Sequence, residues 1–433
     1  MTTRRQFLLG GAAAAGVLPM PAIVTRALAA PAVDETAPLR SPPFLPVPEF
    51  NKLAAQAERV AGVRPHRKDG IRLKLTDPVE TSKGVKYVIH NYGHSGAGIS
   101  LSWGCASVVV EHVQTVLDQL RGTHVRPSVA VLGSGVIGLT SATELRRKWP
   151  KLPITIYTKT TDVTKTTSYI AGGQFAPSQI WREYTNDKAT LAKYLRRSAT
   201  RIAQIQNSGR RQEFGVAQRK NYMLDFHDEA FNDYTPCDVV PAYRRGALPF
   251  KQLDVGREYT TWLMNPKILL PKLVVELNRT GVPLLPKAFE DEQHIHDGLK
   301  ENIIINCTGY GAGKLFKDAK VKPRRGHLLV LKNPAALTYF FSGGSANDAI
   351  FYLFARQTDI VIGGTIQTDD DDREHFDKND PNDRRVCDRL LDNAHRMFEG
   401  KSDQCVDALD GSVPSRGPEG PEHGRCLDIP AIA

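Results

Sequence analysis

Cysteine is scarce: Cys105, Cys237, Cys307, Cys387, Cys405 and Cys426 are six in 433 residues, set far apart and without the two-residue spacing of zinc ligands or redox pairs. No metal site and no disulfide framework is read from them. Cys405 and Cys426, in the polar tail, are the pair an oxidising compartment would join. Beyond the amino-terminal segment no run of about 18 apolar residues occurs, which excludes a polytopic membrane protein. The 57 Lys and Arg against 47 Asp and Glu form no basic block, so nucleic-acid binding has no support. What is present suffices for one or two well-cored domains: 41% of the residues are hydrophobic and 24% charged.

Residues 1–30 have the layout of a secretory signal. Arg4 and Arg5 precede an apolar stretch to Leu18, and Ala27, Leu28 and Ala29 form a small-residue cleavage site. The run Thr3-Arg-Arg-Gln-Phe-Leu8 resembles the twin-arginine export motif, which implies export of a folded, cofactor-loaded protein to the periplasm or outside by the twin-arginine machinery. Its removal takes the net charge from +10 to +7.

The strongest motif begins at residue 128. A short apolar strand, Ser-Val-Ala-Val-Leu, runs into Gly133-Ser-Gly135-Val136-Ile137-Gly138 and then into a helical pattern through Leu139, Ala142, Leu145 and Trp149. Gly133 makes the tight turn, Gly135 admits a pyrophosphate close to the backbone, and Gly138 lets the helix lie near the strand. The N–H groups that open the helix then face the phosphates. A second strand is expected at 153–158. The acidic residue that would bind a ribose hydroxyl at its end is missing, with Thr158 and Lys159 in its place. Lys159 would suit a ribose 2′-phosphate, so an NADP-dependent reductase stays open on this motif alone.

Two segments upstream narrow the choice. They are Gly62-Val-Arg64-Pro-His-Arg67 and His90-Asn-Tyr-Gly-His94-Ser95-Gly96-Ala-Gly98-Ile99-Ser100. They resemble the Gly-x-Arg-Pro-x-Arg and His-Asn-Tyr-Gly-His-x-Gly-x-Gly segments of the D-amino-acid oxidase family. There the two lie near the carboxyl end; here they precede the glycine turn. The family's remaining segments follow in their usual order: Thr166-Thr167-Ser168 with Ala171-Gly-Gly173, Ile305-Asn-Cys-Thr308-Gly309, Arg325-Gly-His327, and the pair Gly363-Gly364. The chain resembles a circularly permuted member of the family.

The resemblance implies an α/β fold, a Rossmann-type FAD-binding domain interleaved with an α+β substrate domain that carries a mixed or antiparallel sheet. It divides the chain into a signal at 1–30, a linker at 31–60, a permuted segment at 61–125, a Rossmann segment at 126–182, a substrate domain with returning FAD-binding strands at 183–400, and a polar tail at 401–433. Permutation also requires the helical pattern at 387–399 to end near the start of the strand carrying Arg64. The implied reaction is FAD-dependent oxidation of D-amino acids to imino acids, with molecular oxygen as electron acceptor. No acid/base residue is required, because the flavin does the chemistry.

By the same resemblance, Arg64 binds the substrate carboxylate, which its guanidinium fork matches with two parallel hydrogen bonds. Tyr352, eleven residues before Gly363, supplies a second hydroxyl contact, and the Gly96 carbonyl faces the amine. Ser95, Gly98, Ile99 and Ser100 lie against the flavin. Gly133, Gly135, Val136, Ile137, Gly138, Thr166, Thr167, Ser168, Gly173, Thr308 and Gly309 hold its dinucleotide part. His90 and His94 are expected to fix their loop by hydrogen bonds. Asp348 replaces a lid tyrosine of several relatives. An acidic substrate would need a second cation, for which Arg325 and Arg356 are candidates. A dehydrogenase, a glycine- or D-aspartate-type oxidase and a flavin-binding protein without turnover remain alternatives.

Overall fold

The computed structural model describes residues 44–224, 243–251, 253–333, 336–344, 350–365 and 371–399. The signal, the tail, Asp348, Cys237, Cys405 and Cys426 lie outside the described residues. The first half of the chain contains α1 (Phe50–Ala54), β1 (Glu58–Arg67), β2 (Arg72–Leu75), β3 (Tyr87–Tyr92), α2 (Gly98–Gln119), β4 (Val129–Leu132), α3 (Val136–Lys148), β5 (Ile154–Thr158), α4 (Thr167–Ile170), α5 (Lys188–Asn207) and β6 (Val216–Leu224). The second contains β7 (Arg244–Phe250), β8 (Leu253–Met264), α6 (Pro266–Arg279), β9 (Leu284–Pro286), α7 (Glu292–Gly298), β10 (Ile303–Asn306), α8 (Ala312–Leu315), β11 (Val321–Lys332), β12 (Tyr339–Gly344), β13 (Ile350–Ala355), β14 (Asp359–Gly363) and α9 (Pro381–Glu399).

Among the described residues these strands form two sheets. One has the order β2-β3-β10-β4-β5-β9 and is parallel except for the β2–β3 pair. Its inner strands β4 and β10 are apolar and buried at nearly every position, as a parallel sheet covered on both faces requires. The other has the order β1-β11-β14-β13-β12-β6-β8-β7 and is antiparallel apart from β6–β12. This is a Rossmann-type sheet interleaved with a mixed one. Segment 61–125 contributes to both, and segment 183–400 returns β9 and β10 to the parallel sheet.

Local chemistry sets several boundaries. Asn265 accepts the Lys267 N–H at 3.1 Å to cap α6, Pro266 occupies its first turn, and Gly281 at φ +76° follows its end. Helix α9 starts at Pro381, six residues earlier than its apolar pattern suggests, because the Asp380 carboxylate accepts the Asn382 and Asp383 N–H groups at 2.7 and 3.3 Å and caps it there. That helix lies beside the start of β1. Arg59 reaches Asp388 at 3.0 Å, and the Phe50 ring packs 5.6 Å from His395 and 5.9 Å from Phe398.

Candidate active site

At the glycine turn, burial separates three roles. A Cβ on Gly133 would stand 2.6 Å from the Cys307 carbonyl, and one on Gly138 2.0 Å from the Gly133 carbonyl, so the fold itself requires both glycines. Gly133 also adopts φ +106°. Gly135 differs, since among the described residues its missing Cβ would meet within 4 Å only the Ser168 hydroxyl, at 3.3 Å. The described chain leaves the space beside Gly135 open.

The amino-terminal segments converge on this turn. A Cβ on Gly98 would touch Val136 at 3.7 Å and Ile137 at 3.9 Å, which sets the 93–98 loop against the start of α3. Two residues earlier, a Cβ on exposed Gly96 (φ +91°) would stand 2.9 Å from Arg64 Cδ. The 93–98 loop therefore lies against both Arg64 and the glycine turn, despite their order in the chain.

Arg64 leaves β1 opposite Arg324 and crosses Gly326, where a Cβ would lie 2.1 Å from its Nη1. Its Nη1 donates to the Thr365 carbonyl at 3.1 Å, and its positive charge acts on the Tyr352 phenol beside it. Tyr352 in turn crosses its register partner Gly363, where a Cβ would lie 2.3 Å from the phenol, and stacks 4.4 Å from Phe354. Burial raises the Tyr352 pKa and Arg64 works against it, so the phenol remains a neutral donor. A guanidinium and a phenol thus stand near each other, each seated over a glycine.

A model of the family described as FAD dependent oxidoreductase (DAO) matches residues 128–428. The chain belongs to this family. It is 26% identical to D-aspartate oxidase of Homo sapiens over 256 residues, covering 56% of this chain and 69% of that protein. It is 26% identical to D-amino-acid oxidase of Fusarium vanettenii over 307 residues, covering 63% and 80%. Among solved structures, glycine oxidase from Bacillus cereus aligns with a TM-score of 0.45 at 13% identity, over 64% of this chain and 79% of that one.

The family's cofactor is FAD, and the open space at Gly135, with the main chain of Val136 and Ile137 beside it, fits the dinucleotide. Lys159 is exposed, while Thr158 is buried with its hydroxyl 2.8 Å from Ser134 Oγ. A hydroxyl pair thus closes the strand end where an acid was expected.

Several of the side chains expected at the cofactor already have partners within the chain. Ser168 Oγ accepts the Val136 N–H at 3.1 Å, so it caps α3 and occupies one donor assigned to the phosphates. Thr166 Oγ1 donates to the Val163 carbonyl at 2.7 Å, and the Thr167 methyl packs under Gly62. Gly173 is glycine because a Cβ there would stand 2.6 Å from the Met264 carbonyl, which is a packing reason within the chain. Ser100 Oγ bridges the Gln174 carbonyl (3.1 Å) and the Ala176 N–H (3.0 Å), and Ile99 is buried in the core. Thr308 Oγ1 donates to Asn306 at 2.7 Å, and Gly309 turns the chain at φ +59°.

His90 meets Asn306 at 3.1 Å, as loop fixing requires, while the Nε2 of buried His94 has no partner among the described residues. Burial holds both imidazoles neutral, with pKa values near 3. Neither candidate second cation is free. Arg325 is buried against Asp383, His327 and the carbonyls of Arg373 and His375. Arg356 pairs with Asp359 at 2.5 and 2.7 Å and donates to the Ala171 carbonyl. The arginine that pattern reading passed over is Arg324, half-buried opposite Arg64. Gly326 and Gly363 were visible in the sequence, but their work under Arg64 and Tyr352 was not.

Proposed function

We propose that this chain oxidises D-amino acids to imino acids, which water hydrolyses to 2-oxo acids and ammonia, with oxygen taking the electrons to give hydrogen peroxide. The observation that carries this is Arg64 and Tyr352 standing near each other, with Arg64 against the 93–98 loop that also lies on the Gly133 turn. A bidentate guanidinium with a neutral phenol beside it suits an α-carboxylate. The exposed Gly96 main chain offers a carbonyl to the α-amine, and the two contacts together fix the α-carbon. Bound FAD supplies the acceptor for the α-carbon hydride. The test is the visible spectrum of the purified protein under anaerobic conditions. Flavin bands that bleach with D- but not L-amino acids, with peroxide formed on readmitting air, are expected. Flavin that stays oxidised with every D-amino acid would refute the reading and leave a flavin-binding protein without turnover.

Acidic D-amino acids are the second reading, favoured by Arg324. It stands opposite Arg64 in the β1–β11 register, and no hydrogen bond or ion pair engages it among the described residues. A higher kcat/KM for D-aspartate or D-glutamate than for D-alanine would select this reading.

Two further proposals concern the chain's organisation. Circular permutation is supported by a family match that begins at residue 128, after the Arg64 strand, and by α9 lying beside the start of β1. Export through the twin-arginine machinery is supported by the Arg4-Arg5 segment, and a fused reporter exported only while both arginines are present would test it.

A further inference from the structure

The two family segments each contain two variable positions, and in this chain one of each pair holds a polar side chain, His66 and Ser95. The fold brings them together. His66 follows Arg64 by two residues on the same face of β1, is 7% exposed, and has Nδ1 3.0 Å from Ser95 Oγ. Its Nε2 lies 3.5 Å from a carboxylate oxygen of Glu183. Ser95 is itself 3% exposed and adopts φ +50°, a conformation unfavourable for a residue with a side chain, with its N–H donating to the Pro65 carbonyl at 3.1 Å. The next residue is Gly96, whose main chain is exposed. At the other end the Glu183 side chain is 19% exposed, and its second oxygen accepts the Asp69 N–H at 3.1 Å. A hydroxyl, an imidazole and a carboxylate therefore stand in series between the 93–98 loop and solvent, the hydroxyl hydrogen-bonded to the ring and the carboxylate 3.5 Å beyond it.

We propose that Ser95, His66 and Glu183 are a proton relay that carries a proton from the substrate α-ammonium to solvent. The assignment rests on the amino-acid oxidation proposed above. A protonated α-nitrogen has no lone pair with which to expel a hydride from its carbon, so this proton has to leave first. In the relay the α-ammonium N–H bond breaks and its proton joins Ser95 Oγ, while the Ser95 hydroxyl proton passes to His66 Nδ1. The Nε2 proton of His66 moves to Glu183 and from there to water. One proton leaves the substrate, one water gains it, and no electron moves.

The path requires a neutral imidazole protonated on Nε2. The charged and titratable groups around His66 are Glu183 and Arg182 on the 178–184 turn, Arg324 and the His66 register partner Lys322 on β11, Arg64 and Arg67 on its own strand, and His94 across an isolated bridge. Burial and then Arg324 lower the His66 pKa, and Glu183 opposes them, so the ring is an acceptor at neutral pH.

The test is the pH dependence of kcat/KM for the FAD-loaded parent, His66→Phe, Ser95→Ala and Glu183→Gln, together with nitrogen-15 spectra of the labelled imidazole. His66→Phe and Ser95→Ala should lose on the order of 10²-fold at pH 7, a loss that disappears at alkaline pH where the substrate amine is already neutral. Glu183→Gln should lose less, with the same pH dependence, and flavin content should be unchanged in all three. The imidazole spectrum should report the Nε2–H tautomer in the resting parent, before substrate is added. Losses equal at every pH, or an Nδ1–H tautomer in the resting protein, would overturn the relay while leaving the oxidase reading intact. A flavin-loaded parent inert to every D-amino acid would instead remove that reading, and the relay with it.

Discussion

Gly326→Ala should cripple substrate binding without touching substrate, flavin or any charge. The added methyl carbon would lie 2.1 Å from Arg64 Nη1 and 2.5 Å from its Cζ and Nη2, and these three atoms are its nearest neighbours. Ordinary contact is about 3.5 Å, so the guanidinium has to withdraw by about 1 Å or more. Gly326 sits within β11 without a positive φ, so alanine adds no backbone strain and the sheet register should survive. The displaced fork loses its alignment with the Thr365 carbonyl and Tyr352, and with it at least one charge-assisted hydrogen bond to the substrate carboxylate. Such a bond is worth about 1.5–3 kcal/mol, which corresponds to about a 10- to 150-fold rise in KM. Steady-state kinetics with a D-amino acid, combined with Arg64→Ala in a double-mutant cycle, reads this out. Because the methyl offends only Arg64, the double variant should be no worse than Arg64→Ala alone. A KM for Gly326→Ala within about twofold of the parent, or effects that add in the double variant, would refute the seating of Arg64 over Gly326.

Gly135→Val should abolish retention of FAD while leaving the fold intact, because that Cβ faces open space beside a single hydroxyl; flavin absorbance per protein after reconstitution measures it, and an unchanged ratio would contradict the placement. Asp383→Ala should cost about 3–5 kcal/mol in urea unfolding, since it strands buried Arg325. Burial works to raise the Asp383 pKa, but hydrogen bonds from Arg325, the Asp377 N–H and His327 outweigh it and hold the carboxyl below the usual range. Its contribution is thus present above about pH 3.9 and lost as the pH falls below that, and an acid unfolding limb unchanged by the substitution would argue against the pair. His90 and His94, with folded pKa values near 3, act higher on the scale. Below about pH 6.5 the unfolded chain binds protons that the folded chain refuses, so stability should fall by up to about 1.4 kcal/mol per pH unit per histidine; urea midpoints identical at pH 7 and pH 5 would count against their burial as neutral rings.

What sequence reading captured is what neighbours along the chain decide. A strand, three glycines and a helix within twenty residues specify their own turn, and Asn265-Pro266 specifies the start of α6 from two side chains. That Arg64 and the 93–98 loop would meet was expected for a different reason, since both lie in segments that resemble one family's motifs, and a Cβ on Gly96 would indeed stand 2.9 Å from Arg64 Cδ. The reading thinned wherever a residue's role is set by a partner far away in sequence. Ser168 resembles a phosphate ligand until Val136, 32 residues earlier, is found donating to it. Arg325 resembles a second substrate cation until Asp383 arrives from α9, and Gly173 resembles a cofactor glycine until the Met264 carbonyl closes on it.

The same logic runs in reverse for the variable motif positions. Singly, His66 and Ser95 carry no signal, because a histidine in a strand and a serine in a glycine loop have many uses. Their meeting at 3.0 Å, with Glu183 behind the ring, depends on β1 packing against the loop after β3 while the 178–184 turn covers both. Three separate stretches of chain must fold before any of these side chains has a role. The relay therefore belongs to tertiary structure alone, and its strained serine fits that origin: φ +50° at Ser95 is held by the Pro65 carbonyl on β1, the strand that also presents Arg64 and His66. One strand thus positions the carboxylate anchor and, two residues on, the ring that would receive the amine proton, so a shift of β1 by a single residue would lose both at once.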